Sequence, residues 1–219
     1  MKKAQWGAIF WILCLQYFAA EAISIIGWRG PYSLSENYIS DLGAVGCGGA
    51  AAGLNGQTGA LCSPLHAVMN TSFVLQGLLI VAGALGVGPM FPAGKLWAGG
   101  LLLAGLSGLG VFIVGLAPED AMPAIHYLAA AENLFCSNAA MTLLGVAMLG
   151  FRPETRLMGA LTLCAGLIGL FGFACLGTHA YLGLGVGGIE RITAYPFPLW
   201  LAAMGALLLW RGGLVRTAA

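Results

Sequence analysis

The chain has 219 residues, 59% of them Ala, Val, Ile, Leu, Met, Phe, Trp, Tyr or Cys, with 35 glycines besides. About a quarter of a typical soluble domain is charged, and 8% here is too little to cover a water-facing surface. Nine Lys and Arg against eight Asp and Glu leave +1, with no basic excess for nucleic acid. Composition excludes a soluble enzyme, a disordered tail and a nucleic-acid partner, and it points to a single integral membrane domain over residues 1–219 whose first partner is the lipid bilayer.

A hydrocarbon core of about 30 Å takes about 20 helical residues. Six apolar stretches fit: Trp6–Gly27, Ser63–Gly88, Trp97–Leu116, Ile125–Leu149, Leu157–Leu176 and Tyr195–Trp210. None alternates with period two as a barrel strand would, "LLIVAGALGVG" from Leu78 being typical. The expected fold is therefore all-α, a six-transmembrane-helix bundle. Met1-Lys2-Lys3, an apolar stretch and Ala20-Glu21-Ala22 have the form of a cleavable signal. The stretch is long for one, and we expect it to be retained as the first span.

Positive charge in short loops marks the cytoplasmic side. With both termini inside, Lys2, Lys3, Lys95, Arg152, Arg156, Arg211 and Arg216 are cytoplasmic, and Arg29 and Arg191 are outside. The expected location is the plasma (inner) membrane. The acids distribute oppositely: Glu36, Asp41, Glu119, Asp120 and Glu190 fall outside and Glu154 inside, while Glu21 and Glu132 lie within spans.

The one long connection is the outer loop Trp28–Cys62, longer than a simple link requires and hence a candidate lid or binding loop. It holds Cys47 and Cys62, which we expect to form a disulfide in an oxidising compartment. Cys14, Cys136, Cys164 and Cys175 read as small apolar packing residues. Gly100, Ala104 and Gly108 form a small-residue stripe on the third span, and Gly166, Gly169 and Gly172 thin one side of the fifth. "GLGVGG" from Gly183 lacks the strand and the GK[ST] ending of a phosphate loop and reads as an outer turn.

Polar residues gather at one depth. The inner halves of the second and fourth spans carry almost none, while their outer halves carry His66 and Asn70, and His126, Glu132, Asn133 and Ser137. Helical spacing puts His66 with Asn70, and His126 with Asn133, on shared faces. Glu21 and Glu132 both fall about 9 to 10 Å below the outer boundary at a rise of about 1.5 Å per residue. Carboxylates at that depth are costly and are expected to face the interior of the bundle, in a shared cavity.

His66, His126 and His179 all lie at the outer mouth, and with the carboxylates they form a possible zinc site with an open position for water. No HxxxH or HxxEH pair supports it. Haem bridging would need histidines at two depths, and a proton-coupled carrier would need polar access from the inner side; neither is visible.

"YSLSENYISDLG" (32–43), "SPLHAVMNTSF" (63–73), "VGLAPED" followed by His126, and "GIERITAYPFPLW" (188–200) together resemble the prokaryotic membrane family catalogued as domain of unknown function nine-nine-eight. The likeness covers nearly the whole chain, except that the Cys-bearing insertion between Gly43 and Ser63 is longer than the family pattern. It implies a six-helix membrane fold and no established activity. Its motif residues fall on the outer face derived from charge: Ser40 and Asp41 precede the second span, Glu119 and Asp120 the fourth, and Glu190 and Arg191 the sixth. Capping accounts for part of Asp120. Arg191, unfavourable near a helix start, is expected to pair with Asp41, Glu119 or Glu190.

The expected function is an outward-facing polar pocket for a small ligand, a lipid head group or a cation. Its residues are Glu21, Ser40, Asp41, His66, Asn70, Asp120, His126, Glu132, Asn133, His179, Glu190 and Arg191. The alternatives are a metal-dependent intramembrane hydrolase and a non-catalytic subunit packing against membrane-protein partners through its glycine faces.

Overall fold

The computed structural model describes residues 3–46 and 63–214, and every regular element among them is helical. Helices α1 (Lys3–Leu13) and α2 (Gln16–Ile26) run end to end, followed by a 3-10 turn at Ser40–Gly43. Then come α3 (His66–Val87), α4 (Lys95–Leu116), α5 (Pro123–Leu149) and α6 (Arg156–Gly177). A second broken rod, α7 (Gly185–Ala194) and α8 (Pro196–Arg211), ends the fold. Five stretches are long and apolar enough to cross a membrane: Lys3–Ile26, His66–Met90, Lys95–Leu116, Pro153–Gly177 and Gly185–Arg211. The 27-residue α5 is the longest helix but falls outside that set, its apolarity diluted by Glu132, Asn133 and Asn138.

Both broken rods have a local cause. At Cys14 and Leu15 the backbone bonds tighten to the i−3 carbonyl, Cys14 to Trp11 and Leu15 to Ile12, a short 3-10 stretch inside the helix. Beside it Gln16 reaches across to α3, donating to Ser72 O and Gln76 Oε1, while Ser72 Oγ donates back to Gln16 Oε1. Between α7 and α8 the break falls at Pro196, which has no N–H to continue the ladder. The expected turn at Gly183–Gly188 is instead mostly helix: α7 starts at Gly185, and the last rod begins well before Tyr195. Its first turn is anchored from outside, Gly187 and Gly188 both donating to Ser35 O, at 2.8 and 3.3 Å.

Each rod packs on its neighbour in sequence, and α8 closes the ring on α1. Large apolar side chains such as Leu85, Leu102, Leu128 and Leu157 face outward, whereas Glu21, Ser24, Gln76, Ser107, Asn138 and Arg191 are buried. This inside-out distribution is what a lipid-facing bundle requires. Helix contact is made through glycine. Gly7 of α1 sits against Gly86 of α3, Gly108 and Gly115 of α4 face α3, and Gly145 and Gly159 bring α5 onto α6. The stripe expected on the third span divides between two partners, Gly100 meeting Leu144 of α5 while Gly108 meets Ile80 and Val81 of α3. On the fifth span, Gly166 and Gly169 approach α5, and Gly172 approaches Thr193 of α7.

Cys14, Cys136 and Cys175 are buried free thiols that pack as expected, and Cys164 is free and exposed. The expected bridge between Cys47 and Cys62 lies outside the described residues.

A Cβ at Gly86 would stand 2.8 Å from the Gly7 Cα, a backbone contact that cannot yield, whereas one at Gly105 meets nothing within 4 Å. Gly86→Val is expected to cost about 1–3 kcal/mol through overpacking, lowering the unfolding temperature in detergent, and Gly105→Val to change it little. Equal losses would contradict this packing.

Candidate functional site

Polar chemistry collects at the end of the ring where α2 and α4 finish and α3 and α5 begin. Its centre is Arg191, which is 7% exposed and projects from α7. Its Nη2 meets Glu21 Oε1 of α2 at 3.3 Å and donates to Tyr32 Oη at 2.6 Å. Its Nη1 donates to the carbonyls of Leu34 and Asn37, both at 2.9 Å, and of Gly187 at 3.1 Å. Tyr195 Oη donates to the same Glu21 oxygen at 2.6 Å. A guanidinium offers several donors in a fixed plane, and here they fasten α2, α7 and the loop after α2 to one another. The partner expected for Arg191 was Asp41, Glu119 or Glu190; it is Glu21. Because α7 starts early, Arg191 sits in a helical last turn, where a cation suits the macrodipole, rather than before a helix start.

Gly187 lets the loop come this close, since a Cβ there would strike the Asn37 and Leu34 carbonyls. Gly185 holds φ +72°, a left-handed conformation that favours glycine, and faces Ser35 O.

Residues 28–46 cross the polar end and sink into it. Asp41 Oδ2 accepts from Asn37 Nδ2 and Tyr38 N at 2.9 and 3.0 Å, closing the 3-10 turn, whose four residues are all buried. Asn70 Nδ2 donates to Gly43 O at 2.8 Å, and Ser63 Oγ to Leu42 O at 2.6 Å. Asp120 accepts from Val45 N and Gly46 N. Asp120 therefore fixes the loop rather than capping a helix, and Asn70 is an anchor rather than a pocket wall.

Glu119 lies buried beside the turn. Its Oε2 accepts from Ser40 Oγ at 2.5 Å, and its Oε1 has no partner. Burial first, and then the neighbouring Asp41 carboxyl, hold the Glu119 pKa well above the usual carboxylate range. Both influences favour the protonated form of Glu119. Burial likewise raises the Tyr32 phenol against the opposing pull of Arg191, and raises the Tyr38 phenol. Both are neutral hydroxyls near pH 7.

Beneath the turn is an internal space of about 70 Å³. Ser40, Gln76, His126, Asn133, Ser137 and Glu190 line it on the polar side, and Tyr17, Phe73 and Phe197 supply aromatic walls. His126 Nδ1 lies 2.8 Å from the Ala117 carbonyl. That carbonyl can only accept, so Nδ1 carries a proton, and in the neutral ring Nε2 keeps its lone pair. Glu190 Oε2 accepts from Ile39 N at 2.6 Å.

Of the expected site residues, the structure gathers Glu21, Ser40, Asp41, Glu190 and Arg191 in the polar cluster and places His126 and Asn133 on the space below. Glu132 is not among them. Its carboxylate points at Gly110 of α4, and its buried Oε2 has no partner. It therefore shares no cavity with Glu21, because the helical rotation that carries Asn133 inward turns Glu132 to the α4–α5 seam. The three histidines also stay apart: His66 Nδ1 meets Ser63 O, His126 meets Ala117 O, and exposed His179 meets Tyr181 Oη. No group of three or more His, Cys, Asp or Glu that could hold a metal occurs among the described residues. Sequence reasoning passed over Tyr32, Asn37 and Tyr195, whose signal was their nearness to the ISDLG and GxxER motifs. It also passed over Gln16, Gln76 and Asn138, polar residues lying inside apolar spans.

Fold and cluster together define a multi-pass helical membrane-type protein with a buried ionic knot at one end. The family described as "Protein of unknown function (DUF998)" matches residues 12–207, and the chain belongs to that family. No curated protein and no solved structure matches it.

A glutamate whose folded pKa is raised contributes most below its unfolded value, about 4.3, and its contribution is lost as pH climbs through the folded value. Stability should therefore fall as pH rises from near 4.3. Glu119→Gln, which can still accept from Ser40 but does not titrate, should flatten that dependence. An unchanged pH profile of unfolding for the variant would contradict the raised pKa of Glu119.

Proposed function

We propose that the chain crosses the membrane six times, with its polar end outside the cytoplasm, and that the space between Ser40, His126 and Glu190 is a pocket for a small ligand, lipid head group or cation. The span added to the five is α5, the fourth in chain order, which at 27 residues is about 40 Å long and packs between α4 and α6. Sidedness rests on charge: Lys3, Lys95, Arg152, Arg156 and Arg211 all fall at the end of the ring opposite the cluster.

The observation that carries the pocket is an imbalance in hydrogen bonding. Around Arg191 nearly every group is used, yet on the space below, His126 Nε2, the Asn133 amide and the second oxygen of Glu190 have no protein partner among the described residues. Asn133 and Glu190 are half-buried and open onto this space, and polar side chains left free within a membrane bundle mark functional positions. A guest or ordered water would complete them.

Two measurements test this. A reporter active only in the cytoplasm should work when fused after Ala219 and be silent when inserted near Gly53; the reverse pattern would overturn the sidedness. In a background without other cysteines, Asn133→Cys should react with a small membrane-impermeant thiol reagent added from outside, and Ala104→Cys, buried away from the cavity, should not. Labelling of neither, or of both alike, would remove the pocket.

A further inference from the structure

Glu190 is the one carboxylate lining the cavity, and Arg191, its neighbour in the chain, spends its hydrogen bonds elsewhere. The guanidinium is paired with Glu21 at 3.3 Å. Its other contacts go to Tyr32 and three carbonyls. Glu190 has a single neutral donor, Ile39 N–H. A carboxylate at the polar end of a membrane bundle that has one neutral hydrogen-bond donor and no ion pair of its own among the described residues offers a cation entering the cavity a partner.

The rest of the wall narrows the kind of cation. His126, 3% exposed, donates from Nδ1 to Ala117 O, and its neutral ring presents a lone pair at Nε2. The Asn133 amide oxygen and the Ser137 hydroxyl can also accept from a donor-rich guest. Opposite them, the rings of Tyr17 and Phe73 stand 6.1 Å apart, with Phe197 completing an apolar wall. A bare metal ion gains little from such faces and lacks a ligand set among the described residues, whereas alkylammonium groups are drawn to aromatic faces. A space of about 70 Å³ exceeds the roughly 10–15 Å³ that one water needs. It suits a guest of only a few non-hydrogen atoms.

On the reading that this space is a pocket, we propose that its ligand is a small organic ammonium group, with the nitrogen at the Glu190 carboxylate and the carbon skeleton against Tyr17, Phe73 and Phe197. The group arrives either as a free amine or as the head of an aminophospholipid; the chemistry recognised is the same.

The test uses the full chain in nanodiscs of phosphatidylglycerol, a lipid without an ammonium group. Ethanolammonium is titrated by calorimetry beside ethylene glycol and acetate, its neutral and anionic counterparts. A parallel arm adds phosphatidylethanolamine to the discs and reads lipid retained after extraction by native mass spectrometry. Saturable binding of ethanolammonium, retention of phosphatidylethanolamine, or both, supports the proposal, and the arm that responds identifies the source. Glu190→Gln, which still accepts from Ile39 N–H, should weaken binding at least tenfold. Phe73→Leu, which leaves the carboxylate intact, should weaken it several-fold, so the proposal does not depend on one variant folding.

Binding of glycol or acetate as tight as that of the ammonium overturns the ligand class, as does binding indifferent to both variants. If no probe binds while Asn133→Cys still labels from outside, the ammonium falls and the pocket stands. If no probe binds and Asn133→Cys is unreactive, both fall.

Discussion

A guanidinium buried in an apolar ring of helices has to be matched on nearly every side, and that requirement organises the polar end of this protein. Leaving a buried charge unpaired costs about 3–5 kcal/mol. Arg191 is matched by Glu21 from α2, by Tyr32 and two carbonyls from the loop, and by Gly187 of its own helix. These partners come from three parts of the chain that have no continuous helix–helix seam in common. The ion pair therefore determines where the loop lies. Once the loop is drawn in, Asp41 closes its turn, Ser40 meets Glu119 and Ile39 reaches Glu190.

The same requirement accounts for the glycines near the cluster. Carbonyls of Leu34 and Asn37 can approach Arg191 only if α7 has no side chain at Gly187. Deeper in the bundle, glycine serves a different end, bringing helix backbones together where lipid provides no hydrophobic force between helices. The two uses look alike in the sequence and separate only when the neighbour of each glycine is known.

Much of this architecture was legible in advance because its causes are local. Apolar runs of bilayer length located the rods, charge asymmetry located the two ends, and the ISDLG, PED and GxxER segments marked the residues that meet. Contacts across the ring were not legible. Arg191 has four acidic residues within plausible reach, and selecting Glu21 requires the rotation of α2 and the early start of α7, which glycine-rich sequence disguised as a turn. Glu21 and Glu132 match in depth, but depth says nothing of rotation, and one helical step separates inward Asn133 from Glu132 at the α4 seam. The histidines clustered by depth for the same reason, although each is taken up by a nearby group of its own.

The cavity lies directly under this knot, so its shape depends on Arg191 holding the loop in place. The most direct test is hydrogen–deuterium exchange of the folded protein with Arg191→Lys. Lysine keeps the charge but cannot serve acceptors spread over a planar fork. The account predicts faster exchange of the amides of Asn37, Tyr38, Ile39, Leu42 and Ala44, which are hydrogen-bonded in the native loop, with no change in α4, α5 and α6. Unaltered exchange in that loop would show that it is held by something other than Arg191 and would contradict the account.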